Sequence, residues 1–307
     1  MSRRRASDIP ILRQGMTIGH NAAENDESYL EECFVLYPPV EQCSDHDSSA
    51  MIVAGRTGSG KTAILQYIES VSQNCFSIDP QEMSMGYISN SDHIKFLNII
   101  DANLDLIFQA LWKHVLCIEF IRMKYNIEDS NRSISVFSIL ESVIGVNKRK
   151  KRAIDYLENW RDKFWITVDE NVREIVENTN AKIEAEFGSE IRKFRARSSY
   201  GRQLSAEKRS ELKDRSRKIV NSDQMSELST VVDMLKEVDS ENRQEKYVIT
   251  IDSLDSDWVD DDIRFELIRA LIETLKSMRR ITSLKILVAL RSDILGHRLI
   301  SSQADTN

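Results

Sequence analysis

Proline and glycine are scarce in this sequence, with 4 Pro and 10 Gly among 307 residues. Because both residues interrupt helices and strands, their scarcity argues against a loop-rich fold and predicts long regular elements. Where prolines do occur together, at Pro38–Pro39, they predict the end of a short element over residues 29–39. No apolar run approaches the ~20 residues needed to span a bilayer. The basic start MSRRR lacks the apolar core of a secretory signal, so we expect a cytoplasmic protein without membrane contact.

Cysteine and positive charge are also limited. Cys33, Cys43, Cys75 and Cys117 are far apart and lack the paired spacing of metal ligands, so we predict reduced structural thiols.

A net charge of −7 argues against a protein coated in nucleic acid, although it leaves room for a local basic patch. Hydrophobic residues make up 41% of the chain, enough for a substantial core.

The most informative residues present are GRTGSGKT at 55–62, which fit the phosphate-binding pattern G-x-x-x-x-G-K-[ST]. A strand is predicted over Met51–Ala54, and a helix is predicted to begin near Gly60. This context argues against the alternative, a Gly/Ser-rich surface turn. We expect Lys61 to reach the β and γ oxygens of a triphosphate and Thr62 to bind Mg²⁺. The predicted nucleotide-binding residues are Gly55, Thr57, Gly58, Ser59, Gly60, Lys61, Thr62 and Ala63.

A second candidate motif follows the β-rich run Tyr247–Ile251, which leads directly into Asp252. A carboxylate at the C-terminal end of a buried strand, beside a phosphate loop, is where Mg²⁺ is held. Asp252 is therefore the predicted metal ligand, and Asp255 is predicted to orient or deprotonate the attacking water. The alternative is that Asp252 and Asp255 belong to an ordinary acidic stretch of surface chain, since further aspartates follow at Asp257, Asp260, Asp261 and Asp262.

A third motif ends the apolar run LKILVAL at 284–290, which predicts a buried strand after an amphipathic helix over 263–281. Arg291 follows this strand. In many ATPases that have a phosphate loop, a polar residue at the corresponding strand end lies beside the γ-phosphate. Arg291 could sense that phosphate or stabilise transition-state charge. The alternative, left open, is a structural ion pair with Asp293 or with an acid of the preceding loop.

The order of these elements predicts an α/β fold with a mainly parallel sheet covered by helices. We expect a P-loop NTPase core of the additional-strand type, with an extra strand between the phosphate-loop strand and the acidic strand, if residues 75–79 pair at the edge. Ligands bind at the C-terminal ends of parallel strands, so Gly60, Asp252 and Arg291 are predicted to meet there.

The middle of the sequence is richer in charge and poorer in strand signals. We interpret residues 125–245 as a helical insertion into a core formed by residues 1–124 and 246–307. The basic runs at 148–152 and from Arg192 to Lys218 either bind nucleic-acid phosphates or form solvated helical faces balanced by nearby acids. The second interpretation is favoured here.

Three patches, GRTGSGKT, ITIDSLDSDW and LVALRSDIL, together resemble bacterial P-loop ATPases of the STAND/KAP-like branch. These are relatives of the AAA+ proteins and often occur in phage-defence loci. The likeness includes the lead-in IGHNAAENDESYLEECFV and covers roughly the first 120 and last 60 residues. It implies that Lys61 and Thr62 bind phosphate and Mg²⁺, that Asp252 binds the metal and that Arg291 is a sensor-type arginine. Many such ATPases have Glu after the first acid, whereas Ser253 stands here, so the base role passes to Asp255.

We therefore expect an ATP-binding, Mg²⁺-dependent ATPase that acts as a switch, with Lys61, Asp252, Asp255 and Arg291 as its catalytic residues. The resemblance implies a role in anti-phage defence and a homo-oligomer or partner protein, such as an effector nuclease or toxin. Because relatives continue with another strand and a helical lid, the short sequence after Arg291 predicts either a minimal or truncated version or a partner that completes the site.

Other classes of nucleotide-binding protein fit less well. An ATP-binding scaffold with little intrinsic hydrolysis is the main alternative. A GTPase is disfavoured because the sequence has no N-K-x-D or T-K-x-D motif, and an ABC ATPase because it has no LSGGQ-like signature. No substrate site for a small-metabolite kinase is visible.

Overall fold

The computed structural model describes residues 34–80, 92–99, 104–127, 148–161, 163–187, 210, 214, 222–238, 245–256 and 259–297. The strands in these ranges are β1 (Ile52–Gly55), β2 (Cys75–Ile78), β3 (Tyr247–Ile251) and β4 (Leu284–Arg291). The helices are α1 (Pro38–Ser44), α2 (Lys61–Val71), α3 (Asp92–Ile99), α4 (Asp105–Tyr125), α5 (Lys148–Trp160), α6 (Lys163–Phe187), α7 (Ser222–Val238), α8 (Asp261–Met278) and α9 (Ser292–His297). None of the helices described has both the length and the apolar character to cross a membrane.

The four strands form one parallel sheet in the order β1-β4-β3-β2. In the register of this sheet Ile52 lies beside Val288, and Tyr247 lies beside Leu284. Strand β3 is buried along its whole length, as is β4 except for Arg291. Continuous burial is typical of parallel strands covered on both faces. The predicted α/β fold with a parallel sheet is confirmed; β2 pairs at one edge, and β4 separates β1 from β3.

Helix α4 forms the centre of the larger core. Phe108, Trp112 and Phe120 are fully buried, and the Trp112 indole donates to the backbone oxygen of Leu267 on α8 at 2.9 Å. This bond satisfies the polar atom of a large buried side chain and ties α4 to α8. Apolar side chains that recur at helical spacing over residues 103–124 also predict this helix from the sequence. Its N-cap position is Leu104.

The expectation for the Pro38–Pro39 pair was wrong. These prolines begin α1 instead of ending an element, with Tyr37 at the N-cap position in extended conformation. Proline is favoured in the first helical turn because its missing N–H would have no intrahelical acceptor there. A proline pair therefore marks a helix start as readily as a stop.

The helices of the predicted insertion pack on the same core as the sheet. Tyr156 and Leu157 of α5, Phe164 of α6 and Leu235 of α7 belong to one buried cluster with α4 and β3. The division into 1–124, 125–245 and 246–307 stays a prediction. The basic run at 148–152 forms the start of α5, where Lys148, Lys151 and Arg152 are exposed. The Arg192–Lys218 stretch lies outside the described residues except for positions 210 and 214.

Three of the four cysteines lie in the described ranges, and all three are free thiols. Cys43 and Cys117 are buried, and burial raises the pKa of Cys117 to about 12. Burial likewise raises the pKa of Cys75 to about 12. A thiol with so high a pKa carries little thiolate at neutral pH, so its reactivity is low.

Lys285 on β4 anchors the loop that leads into β1. Its side chain is buried, and its ammonium donates to the backbone oxygens of Asp45 at 2.8 Å and Ser48 at 2.9 Å. Replacing Lys285 with Met should lower the free energy of unfolding by about 2 kcal/mol, because two carbonyls lose a charged donor. Urea unfolding measures this change. Lys276→Met is the control, because that exposed lysine pairs only with its own helix at Glu273, and about 0.5 kcal/mol or less is expected. Equal effects of the two changes would contradict the anchoring role.

His114 makes stability depend on pH. It is buried in α4, its Nδ1 lies 2.8 Å from Tyr156 Oη, and burial lowers its pKa to about 3. Between pH 6.5 and 3 the unfolded chain therefore binds a proton that the folded protein excludes, so stability is lost as pH falls through this range. Between pH 7 and 5.5, wild type should lose about 1 kcal/mol more than His114→Gln. Urea unfolding at the two pH values tests this, and parallel losses would refute it.

Candidate functional site

The turn after β1 has the backbone conformation that its glycines allow. Gly58 and Gly60 have φ values of 76° and 82°, a region that side chains rarely adopt. The Ser59 N–H donates to the backbone oxygen of Arg56 at 3.1 Å, which closes the turn. Gly60 then occupies the N-cap position of α2, as predicted for the helix start. The loop therefore presents exposed backbone, including Thr57 and Ser59, at a helix N-terminus.

Lys61, Thr62 and Ala63 form the first turn of α2. The Lys61 ammonium reaches back across the loop and donates to the backbone oxygen of Arg56 at 3.2 Å. The first turn of α2 contains no acidic residue. The positive end of the helix dipole and the ammonium therefore act together, with no carboxylate in that turn to oppose them.

All four strands run in the same direction, so their C-terminal ends lie along one side of the sheet. We use 'sheet edge' below for this C-terminal side. Gly55, the last residue of β1, is the register partner of Arg291, the last residue of β4. Ile251 of β3 is the partner of Val288 on β4, so Asp252 follows at the same edge. Ile78 of β2 is the partner of Ile251. The start of the glycine loop, Asp252 and Arg291 are thus positioned along one sheet edge by their strands.

The loop after β3 is tightly ordered. Asp252 Oδ1 accepts the N–H of Ser253 at 2.7 Å, and Ser253 has a φ of 58°. The N–H and Oγ of Ser256 both donate to the Ser253 carbonyl, at 3.1 and 2.7 Å. We name residues Asp252–Ser256 the acidic loop. Its internal bonds hold both predicted carboxylates, Asp252 and Asp255, on a compact turn.

Arg291 contacts acids on both sides. Its Nη2 and Nε donate to the two carboxylate oxygens of Asp293, at 2.6 and 3.1 Å, and its Nε lies 3.6 Å from Asp255 Oδ2. The hydrogen bonds to Asp293 raise the pKa of Arg291, and the same bonds lower the pKa of Asp293. The structural ion pair left open by the sequence is therefore present. The same guanidinium also links the end of β4 to the acidic loop.

Two contacts near the site had no signal in the sequence. Thr250, fully buried on β3, donates its hydroxyl to Glu69 on α2, which ties the helix after the glycine loop to the strand before Asp252. Arg264 on α8 donates to the backbone oxygen of Ser256 at 2.8 Å. Asp79, at the end of β2, adds an exposed carboxylate at the same sheet edge. Its only sequence signal is that it follows a short apolar strand, as Asp252 does.

Within the described part of the chain, no group of three or more His, Cys, Asp or Glu side chains is arranged to hold a metal ion. Mg²⁺ beside a nucleotide takes one or two protein oxygens and completes its shell with phosphate and water, so the predicted magnesium site requires only such oxygens. The Thr62 hydroxyl and the Asp252 carboxylate supply oxygen donors of that kind.

No protein-family model matches the chain, and the searches of curated proteins and of solved structures found no significant match. The case for a function therefore depends on the arrangement of residues described above.

Proposed function

We propose that the protein binds ATP with Mg²⁺ and hydrolyses it, and that its sheet is a P-loop NTPase core of the additional-strand type. One observation carries this proposal. The glycine loop at the start of α2, in which Gly58 and Gly60 have positive φ values, lies on the same sheet edge as Asp252 and Arg291. The strand order supports it, because β4 separates the glycine-loop strand from the acidic strand. Ligands of open parallel sheets bind at this edge.

The loop fits a polyphosphate. A Cβ placed on Gly58 or Gly60 would meet no atom within 4 Å, so the positive φ values, and not crowding, require glycine there. Successive backbone N–H groups in such a turn form a concave site for anions. Thr62 and Asp252 would hold Mg²⁺, which would neutralise part of the phosphate charge.

Asp255 and Arg291 would act on the terminal phosphate. Asp255 follows the metal ligand on the acidic loop and has a carboxylate able to orient water. Arg291 carries a fixed positive charge at the neighbouring strand end, where it would stabilise charge that develops on the phosphate. Their separation of 3.6 Å means that the two groups would act in one small region.

One observation favours the second candidate, an ATP-binding scaffold with slow turnover. Both carboxylate oxygens of Asp293 are bonded to Arg291, so the guanidinium must loosen this pair before it can turn fully to a phosphate. A homo-oligomer or a partner protein that draws Asp293 away would then control turnover. With such control, the proposed ATPase would act as a nucleotide-dependent switch, as the resemblance to ATPases of phage-defence loci implies.

The experiment that tests the proposal compares wild type with Lys61→Ala. Wild type should bind a fluorescent ATP analogue and release phosphate from Mg²⁺-ATP. Lys61→Ala should bind about 10- to 100-fold more weakly, because a charge-assisted contact to phosphate is lost. Lys276→Ala, on the exposed face of α8, is the control for loss of positive charge.

The possible outcomes separate the two candidates. Tight binding without phosphate release, at all protein concentrations and with nucleic acid added, would support the scaffold. Absence of nucleotide binding by wild type would overturn both.

A further inference from the structure

We propose that Arg264 is a positioning residue: its guanidinium fixes the acidic loop, Asp252–Ser256, so that Asp255 faces Arg291. The inference rests on the proposed function, because it assigns Arg264 to the ordering of that site. It adds a residue that lies outside all three sequence patches, on the first turns of α8.

The contact itself is specific. Arg264 Nη1 donates to the Ser256 carbonyl at 2.8 Å, and its other terminal nitrogen binds the Asp261 carboxylate. The residue is only 9% exposed. Hydrogen bonds from a charged donor are stronger than neutral ones. A buried arginine that donates to a loop carbonyl therefore holds that loop firmly.

Asp255 lies between two anchored neighbours. On one side Leu254 is fully buried in the larger core. On the other side Ser256 is bonded through its N–H and Oγ to Ser253, and through its carbonyl to Arg264. The Asp255 side chain between these anchors is directed to Arg291, with 3.6 Å between Oδ2 and Nε. Leu254 fixes the loop on the core side, and Arg264 fixes the end that leads towards α8.

The loop needs such an anchor because part of its backbone is strained. Ser253 has a φ of 58°, a conformation that a residue with a side chain adopts only where its surroundings enforce it. Arg264 adds a bond from outside the loop, through the Ser256 carbonyl, to the bonds that close the turn from within. Helix α8 provides a firm support, because Leu267 is fully buried and its backbone oxygen accepts the Trp112 N–H of α4. Arg264 thus links the loop that carries Asp255 to the packed helices α4 and α8.

The test compares Arg264→Met, Arg264→Lys and Arg269→Met. Methionine keeps the length of the side chain without its donors, and lysine keeps one charged donor for the Ser256 carbonyl. Arg269→Met is the matched control, because it removes an arginine from the same helix that pairs with Asp105 and Glu266 and does not touch the acidic loop. Each variant is measured for hydrogen exchange without nucleotide, for ATP affinity, for kcat and for thermal unfolding.

In Arg264→Met, amide exchange across Asp252–Ser256 should be at least about 10-fold faster, and kcat should fall by about 10- to 100-fold, because small displacements of a catalytic group are costly. ATP affinity should change less than 3-fold, because the glycine loop is untouched. Arg264→Lys should recover most of the kcat. Arg269→Met should lower the unfolding temperature with little change in kcat or in loop exchange.

The inference is overturned if loop exchange in Arg264→Met equals that of wild type. It is also overturned if kcat falls in Arg269→Met as far as in Arg264→Met, since the effect would then follow stability alone. If wild type shows no turnover, the proposed hydrolysis fails. The inference is then decided by hydrogen exchange across Asp252–Ser256, which should be faster in Arg264→Met and unchanged in Arg269→Met.

Discussion

Replacing Asp252 with asparagine is expected to reduce ATP turnover by at least about 100-fold while the protein remains folded. The amide keeps the size of the side chain and its bond from the Ser253 N–H, because an amide oxygen also accepts. It lacks the negative charge that Mg²⁺ prefers in an oxygen ligand. ATP binding without Mg²⁺ should therefore be nearly unchanged, and the tightening caused by Mg²⁺ should be lost.

The measurement is phosphate release and ATP affinity over a series of Mg²⁺ concentrations. Asp260→Asn is the control, because it removes the same charge from an exposed carboxylate that pairs with Lys95 ahead of α8. That variant should behave as wild type. An Asp252→Asn protein with normal turnover and normal Mg²⁺ dependence would show that Asp252 is not the metal ligand.

The sheet could be predicted because its signals are local. Each strand is a short apolar run, and β1, β3 and β4 end at or just before a residue of the candidate site: Gly55, Asp252 and Arg291. Parallel alignment then places these residues at one edge, whatever the details of side-chain packing. The glycine loop was predictable for the same reason. Gly58 and Gly60 have positive φ, which glycine adopts readily because it has no Cβ, whatever residues surround it.

The contacts that tie the site together could not be predicted, because they depend on register between distant segments. Thr250 and Glu69 are 181 residues apart, and Lys285 and Asp45 are 240 apart. Arg264 is only eight residues from Ser256, but its sequence pattern is that of an ordinary helical ion pair with Asp261. A one-residue shift of a strand would remove the Thr250–Glu69 contact without changing any local pattern.

The role of Arg291 is likewise not fixed by its local sequence. The sequence offered two interpretations, a phosphate-sensing arginine and a structural ion pair. The structure shows the ion pair with Asp293, and it also places the guanidinium 3.6 Å from Asp255. Presence of the pair does not decide between the interpretations, since an arginine held beside a site by one acid can still act on a bound phosphate.

Replacing each member of the pair in turn separates the two roles. Arg291→Ala is expected to lower kcat by about 10²- to 10³-fold, because a positive charge aimed at the transition state is lost. Asp293→Ala removes the same pair from the other side, yet it leaves the guanidinium in place and frees it to turn towards phosphate. It should therefore keep the wild-type kcat or raise it several-fold. Steady-state phosphate release at saturating ATP measures kcat for both variants.

An ion pair that serves only structure predicts a different result. Both alanine variants would then have similar and small effects on kcat, since an exposed pair contributes little to stability. The double variant gives the remaining information: if Arg291 acts on phosphate, it should resemble Arg291→Ala, because Asp293 would act only through the arginine. A double variant as active as Asp293→Ala would contradict the sensor role of Arg291, and the end of β4 would then hold the acidic loop without contributing charge to the reaction.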